Sequence, residues 1–189
     1  PQFPSRADLA SSDAEQIEAI SRQIAEQAAA MGINLFLSPV VDVLNGENAW
    51  LRGRTWSDDP EVVAHLSAAN IRGVQSGRVA ATAKHFPGFR SITGDPAIDP
   101  AAECLTGLEA LEAGLVPFRR AIAAGVEVVM VGPAMVRALD RQHAALRSAL
   151  VVRKLTDELG FAGVVMADDL DSQRFPASGR YRRPDRFGI

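Results

Sequence analysis

Two pairs of polar residues that follow apolar runs carry the groups best suited to chemistry on a bound ligand. Lys84 and His85 come after one such run, and Asp168 and Asp169 come after another. Lysine and histidine can donate hydrogen bonds to a polyhydroxylated ligand, and a carboxylate at the end of a buried strand is costly unless it is paired, hydrogen-bonded or used. Two structural alternatives stay open. A strand-end histidine often makes only a structural hydrogen bond, and Asp169 can instead cap the segment that follows it.

A third candidate is Arg54, which lies in a long polar loop between Asp42 and Ser57. Its planar guanidinium can bind two adjacent hydroxyl groups or hold a carboxylate in place. A loop arginine is more commonly a solvated surface residue, so Arg54 on its own does not specify a ligand contact.

The elements that must position these side chains alternate between helical patterns and short apolar runs. Capping residues, among them Ser12 and Thr106, and apolar spacings of three or four residues predict helices over residues 12–31, 60–75, 106–124 and 149–159. Apolar runs, most of them rich in β-branched residues, predict strands over residues 34–39, 79–83, 126–131 and 163–167.

Strands that are apolar on both faces and joined through helices indicate a parallel α/β sheet that is covered on both sides. About four such units form either a small doubly wound sheet or half of an eight-stranded barrel, and periodicity does not choose between them. In both architectures ligands bind at the carboxyl ends of the strands. Asp42 and the two polar pairs follow strands, so we expect them to share one face of the protein.

Composition excludes several classes of function. The chain has 189 residues, 47% hydrophobic and 23% charged, with a formal net charge of −3, which is typical of a globular protein and unlike a nucleic-acid-binding one. No apolar run is long enough to span a bilayer. The single cysteine, Cys104, excludes an internal disulfide framework, and His65, His85 and His143 lack metal-ligand spacing. We therefore expect no metal or organic cofactor. The chain begins at Pro1 without a visible signal peptide, which leaves its compartment open.

Seven short segments occur in the order found in one enzyme family, and the match as a whole covers roughly residues 3–172. The chain resembles the N-terminal catalytic domain of glycoside hydrolase family 3 in residues 32–43, 54–60, 81–88, 116–126, 138–140, 158–165 and 168–170. Its most recognisable block is residues 81–88, which contains Lys84-His85-Phe86-Pro87-Gly88. The resemblance implies a (β/α)₈ TIM barrel, here a partial one with about four βα units.

The resemblance also implies an activity and roles for named residues. Asp168 matches the family nucleophile, and Arg54, Lys84 and His85 match sugar-binding positions. The implied reaction is retaining, exo-acting hydrolysis of terminal β-linked sugars. Asp168-Asp169-Leu170 is similar to the β-N-acetylglucosaminidase branch, so we expect a β-N-acetylhexosaminidase. A β-glucosidase of the same family and a catalytically inactive barrel fragment are the alternatives.

The acid/base position departs from the family pattern. The acetylglucosaminidase branch carries an Asp-Ser-His dyad in the loop after Lys-His-Phe-Pro-Gly, whereas here Asp95 occupies the aspartate position and Ala97 the histidine position. A general acid contributes about 10² to 10⁴ in rate. Asp95, or alternatively Asp99, could supply the proton, and both equally fit the description of loop carboxylates.

The domain organisation follows from the same resemblance. We expect residues 1–171 to form a partial barrel domain and residues 172–189, which hold five arginines and two prolines, to form an atypical tail. Relative to the family, the barrel is expected to lack segments at both ends. The expected partner is a carbohydrate substrate, with no nucleic acid and no membrane span, and the oligomeric state is undetermined.

Overall fold

The main sheet of the protein consists of parallel strands that are connected through helices. The computed structural model describes residues 13–99, 101–105 and 107–170. Its helices are α1 (Ala14–Ala30), α2 (Pro60–Ser76), α3 (Leu108–Ala123) and α4 (Ala149–Arg153), and α4 continues as a π-helical turn over Lys154–Glu158. Its strands are β1 (Leu35–Phe36), β2 (Ala80–Phe86), β3 (Glu103–Cys104), β4 (Val128–Val131), β5 (Met135–Val136) and β6 (Val164–Ala167). Short 3₁₀ turns cover Ala49–Leu51 and Ala145–Arg147.

The spatial order of the strands in the main sheet follows their order in the chain. β1 pairs with β2, β2 with β4 and β4 with β6, in each case parallel, while β3 and β5 form a separate parallel pair. A doubly wound sheet reverses its strand order at a switch point, whereas a barrel adds each strand on the same side. The protein is therefore a partial (β/α)₈ barrel, and the expected fold class is confirmed.

Local signals explain where the helices begin. The Asp13 carboxylate accepts from Gln16 N at 2.8 Å at the start of α1, and Asp59 caps α2 ahead of Pro60. The predicted caps Ser12 and Thr106 lie outside the described residues. α3 begins after Gly107, which makes no side-chain cap. The predicted boundary at residue 171 and the tail at 172–189 also lie outside the described residues and stay predictions.

Two strands differ from their sequence-based predictions. β2 continues through Phe86, so Lys84 and His85 lie inside it, because its ladder with β4 extends to the Phe86–Val131 pair. β6 was expected to be buried on both faces, which is wrong: Val164 is 59% exposed and Val165 is 38% exposed. Within the described part of the chain, β6 is one of the two outer strands of the main sheet and pairs on one side only, with β4.

Helices α1 and α2 approach each other closely at Gly73. A Cβ atom on Gly73 would lie 2.3 Å from the main-chain oxygen of Glu18 and 2.7 Å from Cβ of Ser21. We expect Gly73→Ala to lower the free energy of unfolding by about 1–3 kcal/mol, because added core atoms force backbone shifts. The measurement is urea denaturation followed by circular dichroism.

Gly114→Ala in α3 is the matched control. Its nearest neighbours would lie at 3.9 Å, an ordinary van der Waals contact. Alanine has the higher helix propensity, so this variant is expected to be neutral or more stable by up to about 1 kcal/mol. Equal losses of stability in the two variants would contradict the packing argument.

The loop before α4 is organised by the carboxylate of Asp140. It accepts from Gln142 N at 2.8 Å, His143 N at 3.1 Å and Ser148 Oγ at 2.7 Å. Ser148 in turn accepts from Val151 N at 3.2 Å and caps α4. The hydrogen bonds from the Gln142 main chain and the Ser148 hydroxyl hold the pKa of Asp140 well below its usual range.

Asp140 should therefore make the stability of the protein depend on pH. A carboxyl group whose pKa is lower in the folded state stabilises the fold above its unfolded-state pKa, and that contribution is lost as the pH falls through the folded-state value. We expect Asp140→Asn to lower Tm at pH 7, and the deficit relative to the unsubstituted protein to shrink in strongly acidic solution. Thermal melts over a series of pH values test this. A deficit that stays constant into strong acid would contradict it.

Candidate active site

Three titratable side chains line up at the carboxyl ends of the main strands. Asp42 follows β1, His85 lies near the end of β2, and Asp168 follows β6. His85 Nδ1 is 2.8 Å from Asp42 Oδ2, and His85 Nε2 is 3.9 Å from Asp168 Oδ2. We call these residues the Asp–His–Asp row. The expectation that these strand-end groups share one face is confirmed.

Asp42 is the buried end of the row. The residue has no exposed surface, and its carboxylate accepts from Phe89 N at 2.8 Å, from His85 N at 3.2 Å and from His85 Nδ1 at 2.8 Å. A carboxylate offers only acceptors, so the ring contact places a hydrogen on Nδ1 of His85. From the sequence, Asp42 was distinguished only as a polar residue that follows a strand. The signal that marks it is an aspartate inside the apolar run of residues 40–43.

The imidazole of His85 is held on its face as well as at its edge. The Phe89 ring stacks on it with centroids 4.6 Å apart and planes 11° apart. Gly132 makes room for this stack, because a Cβ there would lie 2.4 Å from Cζ of Phe89 and 3.1 Å from Cβ of His85. Phe89 was not recognised as part of the site from the sequence.

Asp168 is the accessible end of the row. Its main-chain N–H donates to Val131 O at 3.0 Å, which fixes the backbone after β6 to β4. Its Oδ1 accepts from Asp169 N at 2.9 Å, and its side chain is 19% exposed. The distance of 3.9 Å from His85 Nε2 exceeds that of a hydrogen bond. One oxygen of Asp168 is thus held by the main chain, and the other faces His85.

Lys84 is anchored through its backbone. Its carbonyl accepts from Val41 N at 2.8 Å, and its N–H donates to Pro39 O at 3.2 Å. These bonds join β2 to the segment that leads into Asp42. The Lys84–His85 peptide bond is cis. Lys84 itself is half-buried, whereas His85 is 4% exposed.

Arg54 and Asp95 form a second group, on two loops. Arg54 Nη1 is 3.9 Å from Asp95 Oδ2, and the guanidinium carbon lies 5.6 Å from the centre of the Trp50 ring. The other oxygen of Asp95 accepts from Ala97 N at 3.0 Å, which closes a local turn. Asp99 accepts from Ala101 N at 2.9 Å in a similar turn. The structure therefore joins Arg54 to Asp95, and the acid/base role of Asp95 stays a prediction.

Polar side chains tie these two loops together. Asn48 Nδ2 donates to Val43 O at 2.8 Å and to Phe89 O at 2.9 Å, and Trp50 Nε1 donates to Ile92 O at 2.9 Å. The bonds to Phe89 and Ile92 span 41 and 42 positions of sequence, so no local pattern predicts them. Asn48 and Trp50 are positioning residues that the sequence analysis missed.

The remaining candidate residues lie away from this site. His65 is exposed on α2, and His143 is exposed in the loop beside Asp140. Cys104 is buried, and its thiol donates to Arg90 O at 3.4 Å. Across residues 13–99, 101–105 and 107–170, no cluster of three histidine, cysteine or acidic side chains could hold a metal ion. In the same part of the chain, no helix has the length and apolarity to cross a membrane.

A partial parallel barrel with polar groups at the carboxyl ends of its strands defines the class to which this protein belongs, the (β/α)₈-barrel proteins. Comparison with known sequences defines the family. The family described as "Glycosyl hydrolase family 3 N terminal domain" matches residues 1–183, and the chain belongs to glycosyl hydrolase family 3. The resemblance stated from the motifs is confirmed.

Relatives with curated names cover most of this chain. It is 36% identical over 166 residues to a beta-hexosaminidase of Stenotrophomonas maltophilia (strain K279a), an alignment that covers 86% of this chain and 49% of the relative. It is 33% identical over 165 residues to a beta-hexosaminidase of Xanthomonas campestris pv. campestris (strain B100), covering 87% and 50% respectively. The chain thus spans about half the length of these relatives.

Solved structures show the same fold. The beta-N-acetylhexosaminidase of Beutenbergia cavernae DSM 12333 superposes with a TM-score of 0.82 at 29% identity, covering 90% of this chain and 53% of that one. A glycoside hydrolase family 3 beta-N-acetylglucosaminidase from Paenibacillus sp. str. FPU-7 superposes with a TM-score of 0.86 at 32% identity, covering 92% and 34%.

Proposed function

We propose that this chain supplies the nucleophile and part of the sugar site of a retaining, exo-acting β-N-acetylhexosaminidase. The observation that carries the proposal is the Asp–His–Asp row at the carboxyl ends of the strands of a family 3 barrel. The relatives named beta-hexosaminidase support the choice of sugar. Carbohydrate is accordingly the proposed partner.

The proposed chemistry assigns the first step to Asp168. Its carboxylate attacks the anomeric carbon while a second group protonates the leaving oxygen, and water then hydrolyses the covalent glycosyl-enzyme. The 19% exposed Asp168 side chain is reachable by a sugar, and one of its oxygens is not committed to the main chain. His85 Nε2, at 3.9 Å from that oxygen, is close enough to contact a hydroxyl group of the same sugar ring.

Lys84 and Arg54 complete the proposed sugar contacts. The Lys84 main chain is fixed between the segment of residues 39–41 and β4, so its side chain starts from the same strand end as His85. The guanidinium of Arg54 packs near Trp50 and beside Asp95, a geometry in which a planar fork can bind adjacent hydroxyl groups. Asp95 is the proposed acid/base on the basis of its aligned position.

One alternative is favoured by two specific observations. Ala97 stands where the acetylglucosaminidase branch has its dyad histidine, and β6, which leads to Asp168, is exposed in the described part of the chain. Both fit a catalytically inactive barrel fragment that binds sugar. A β-glucosidase of the same family is the other alternative.

An assay with two chromogenic substrates separates these functions. Purified chain is incubated with p-nitrophenyl β-N-acetylglucosaminide and with p-nitrophenyl β-glucoside. We expect hydrolysis of the first substrate in preference to the second. The reverse preference would indicate a β-glucosidase. No turnover of either, with N-acetylglucosamine binding detected by calorimetry, would overturn the enzymatic proposal in favour of the binding fragment.

A further inference from the structure

We propose that Asp42 is a positioning residue of this site, which holds His85 in the tautomer with hydrogen on Nδ1 and directs Nε2 toward Asp168. The consequence for sugar binding rests on the function proposed above. The arrangement of Asp42 and His85 does not depend on it.

Three donors converge on the buried carboxylate of Asp42. Burying a carboxylate is costly unless hydrogen bonds satisfy it. Asp42 is completely buried, and its oxygens accept three N–H groups, of which one belongs to the His85 ring. The two main-chain donors hold the carboxylate in position, so its orientation does not depend on the contact with the His85 ring. The ring contact at 2.8 Å then selects the Nδ1–H tautomer.

The same carboxylate also places the residue that stacks on the ring. Asp42 Oδ1 accepts from Phe89 N, while the Phe89 side chain covers the face of the His85 ring with centroids 4.6 Å apart. The contacts at the edge and on the face of the imidazole therefore both involve Asp42. Turning the ring over would break the Nδ1 bond, and tilting its plane would break the stacking.

The second ring nitrogen of His85, Nε2, remains for the ligand. With Nδ1 occupied, Nε2 points to Asp168 Oδ2 across 3.9 Å. In the neutral ring Nε2 accepts a hydrogen bond, and in the charged ring it donates one. A sugar hydroxyl can meet either state because it both donates and accepts. Asp42 thus determines which nitrogen is offered to the ligand without touching the ligand itself.

Nuclear magnetic resonance of the histidine rings tests the proposal directly. The chain has only three histidines, so variants of His65 and His143 assign the His85 signals. In the unsubstituted protein we expect a hydrogen-bonded Nδ1–H on His85 with a proton shifted far downfield. In Asp42→Asn that signal should disappear or move upfield, because an amide either donates to Nδ1 or accepts more weakly than a carboxylate.

Asp140→Asn provides a matched control. Asp140 Oδ2 lies 3.2 Å from His143 Nδ1, so the chain holds a second aspartate–histidine pair. This variant should change the His143 signals and leave those of His85 in place. A His85 ring with hydrogen on Nε2 and none on Nδ1 in the unsubstituted protein, or identical His85 signals in Asp42→Asn, would overturn the proposal. Should Asp42→Asn fail to fold, the tautomer of the unsubstituted protein decides.

Sugar titrations keep the two proposals distinguishable. Titration with N-acetylglucosamine should perturb His85 Nε2. Asp42→Asn should weaken binding by about 10-fold, because removing one partner of a buried hydrogen bond leaves the ring without its fixed orientation. If the His85 signals behave as expected but the sugar does not bind, the proposed function fails and Asp42 stays the positioning residue of His85. Equal affinities in the two proteins would overturn the claimed consequence for binding.

Discussion

Asp168→Asn is expected to reduce hydrolysis of p-nitrophenyl β-N-acetylglucosaminide by about 10⁴-fold or more, the order of loss that follows removal of a catalytic nucleophile. Asparagine keeps the shape of the side chain and the main-chain bond to Val131, but its amide cannot form the glycosyl-enzyme. The measurement is kcat and KM for both proteins with the same substrate. Because ground-state contacts are largely kept, the loss should appear in kcat.

Asp169→Asn is the matched control for this prediction. Asp169 is exposed, and the contact that joins it to Asp168 runs through its main-chain N–H, which the substitution leaves unchanged. This variant should retain most of the activity. A loss in Asp169→Asn as large as that in Asp168→Asn would show that the nucleophile has been assigned to the wrong member of the pair.

Phe118→Ala is expected to lower the free energy of unfolding by about 3–5 kcal/mol. Phe118 is completely buried on α3 and meets the ring of Phe86 on β2 edge to face, with centroids 5.2 Å apart. Its removal takes away the transfer free energy of a large side chain and leaves a cavity between helix and sheet. Domains are typically stable by only about 5–15 kcal/mol, so this is a large fraction of the total. Urea denaturation measures the change.

Leu108→Ala, on the same helix, is the control that tests how strongly burial determines the loss of stability. Leu108 is 61% exposed, so its truncation should change stability by less than about 0.5 kcal/mol. A loss in Phe118→Ala of similar size to that in Leu108→Ala would mean that α3 does not contribute its apolar face to the core.

The helices and the strands of the main sheet could be predicted because capping residues and apolar spacing are local features of the sequence. Asp59 followed by Pro60 marks the start of α2, and the structure begins that helix at Pro60. The apolar run ending in Ala167 predicts β6 within one residue. What the run could not reveal is exposure, because an apolar strand reads the same in the middle of a sheet and at its outside. Val164 is exposed because β6 lies at the outside of the described sheet, with a neighbouring strand on one side only.

The candidate site divides in the same way. Lys84, His85 and Asp168 could be chosen from the sequence because polar residues stand out directly after apolar runs, and because their motifs resemble those of family 3. The partnership of Asp42 with His85 could not be chosen, since 43 positions separate the two residues. The bond of Trp50 to Ile92 spans 42 positions and was missed for the same cause.

By itself the sequence determined the family, with the barrel that the family implies, and the alternation of helix and strand. It also predicted the side chains suited to attack and bind a sugar. These depend on residue types and on neighbours a few positions apart. Periodicity alone left the barrel and the doubly wound sheet open, and the strand order decided between them. Only the tertiary structure decided that β6 is an exposed outer strand of the described sheet, and that Asp42, His85 and Asp168 form one row. Those features arise from contacts between distant segments, and the geometry of such contacts is set by packing and strand register rather than by local propensity.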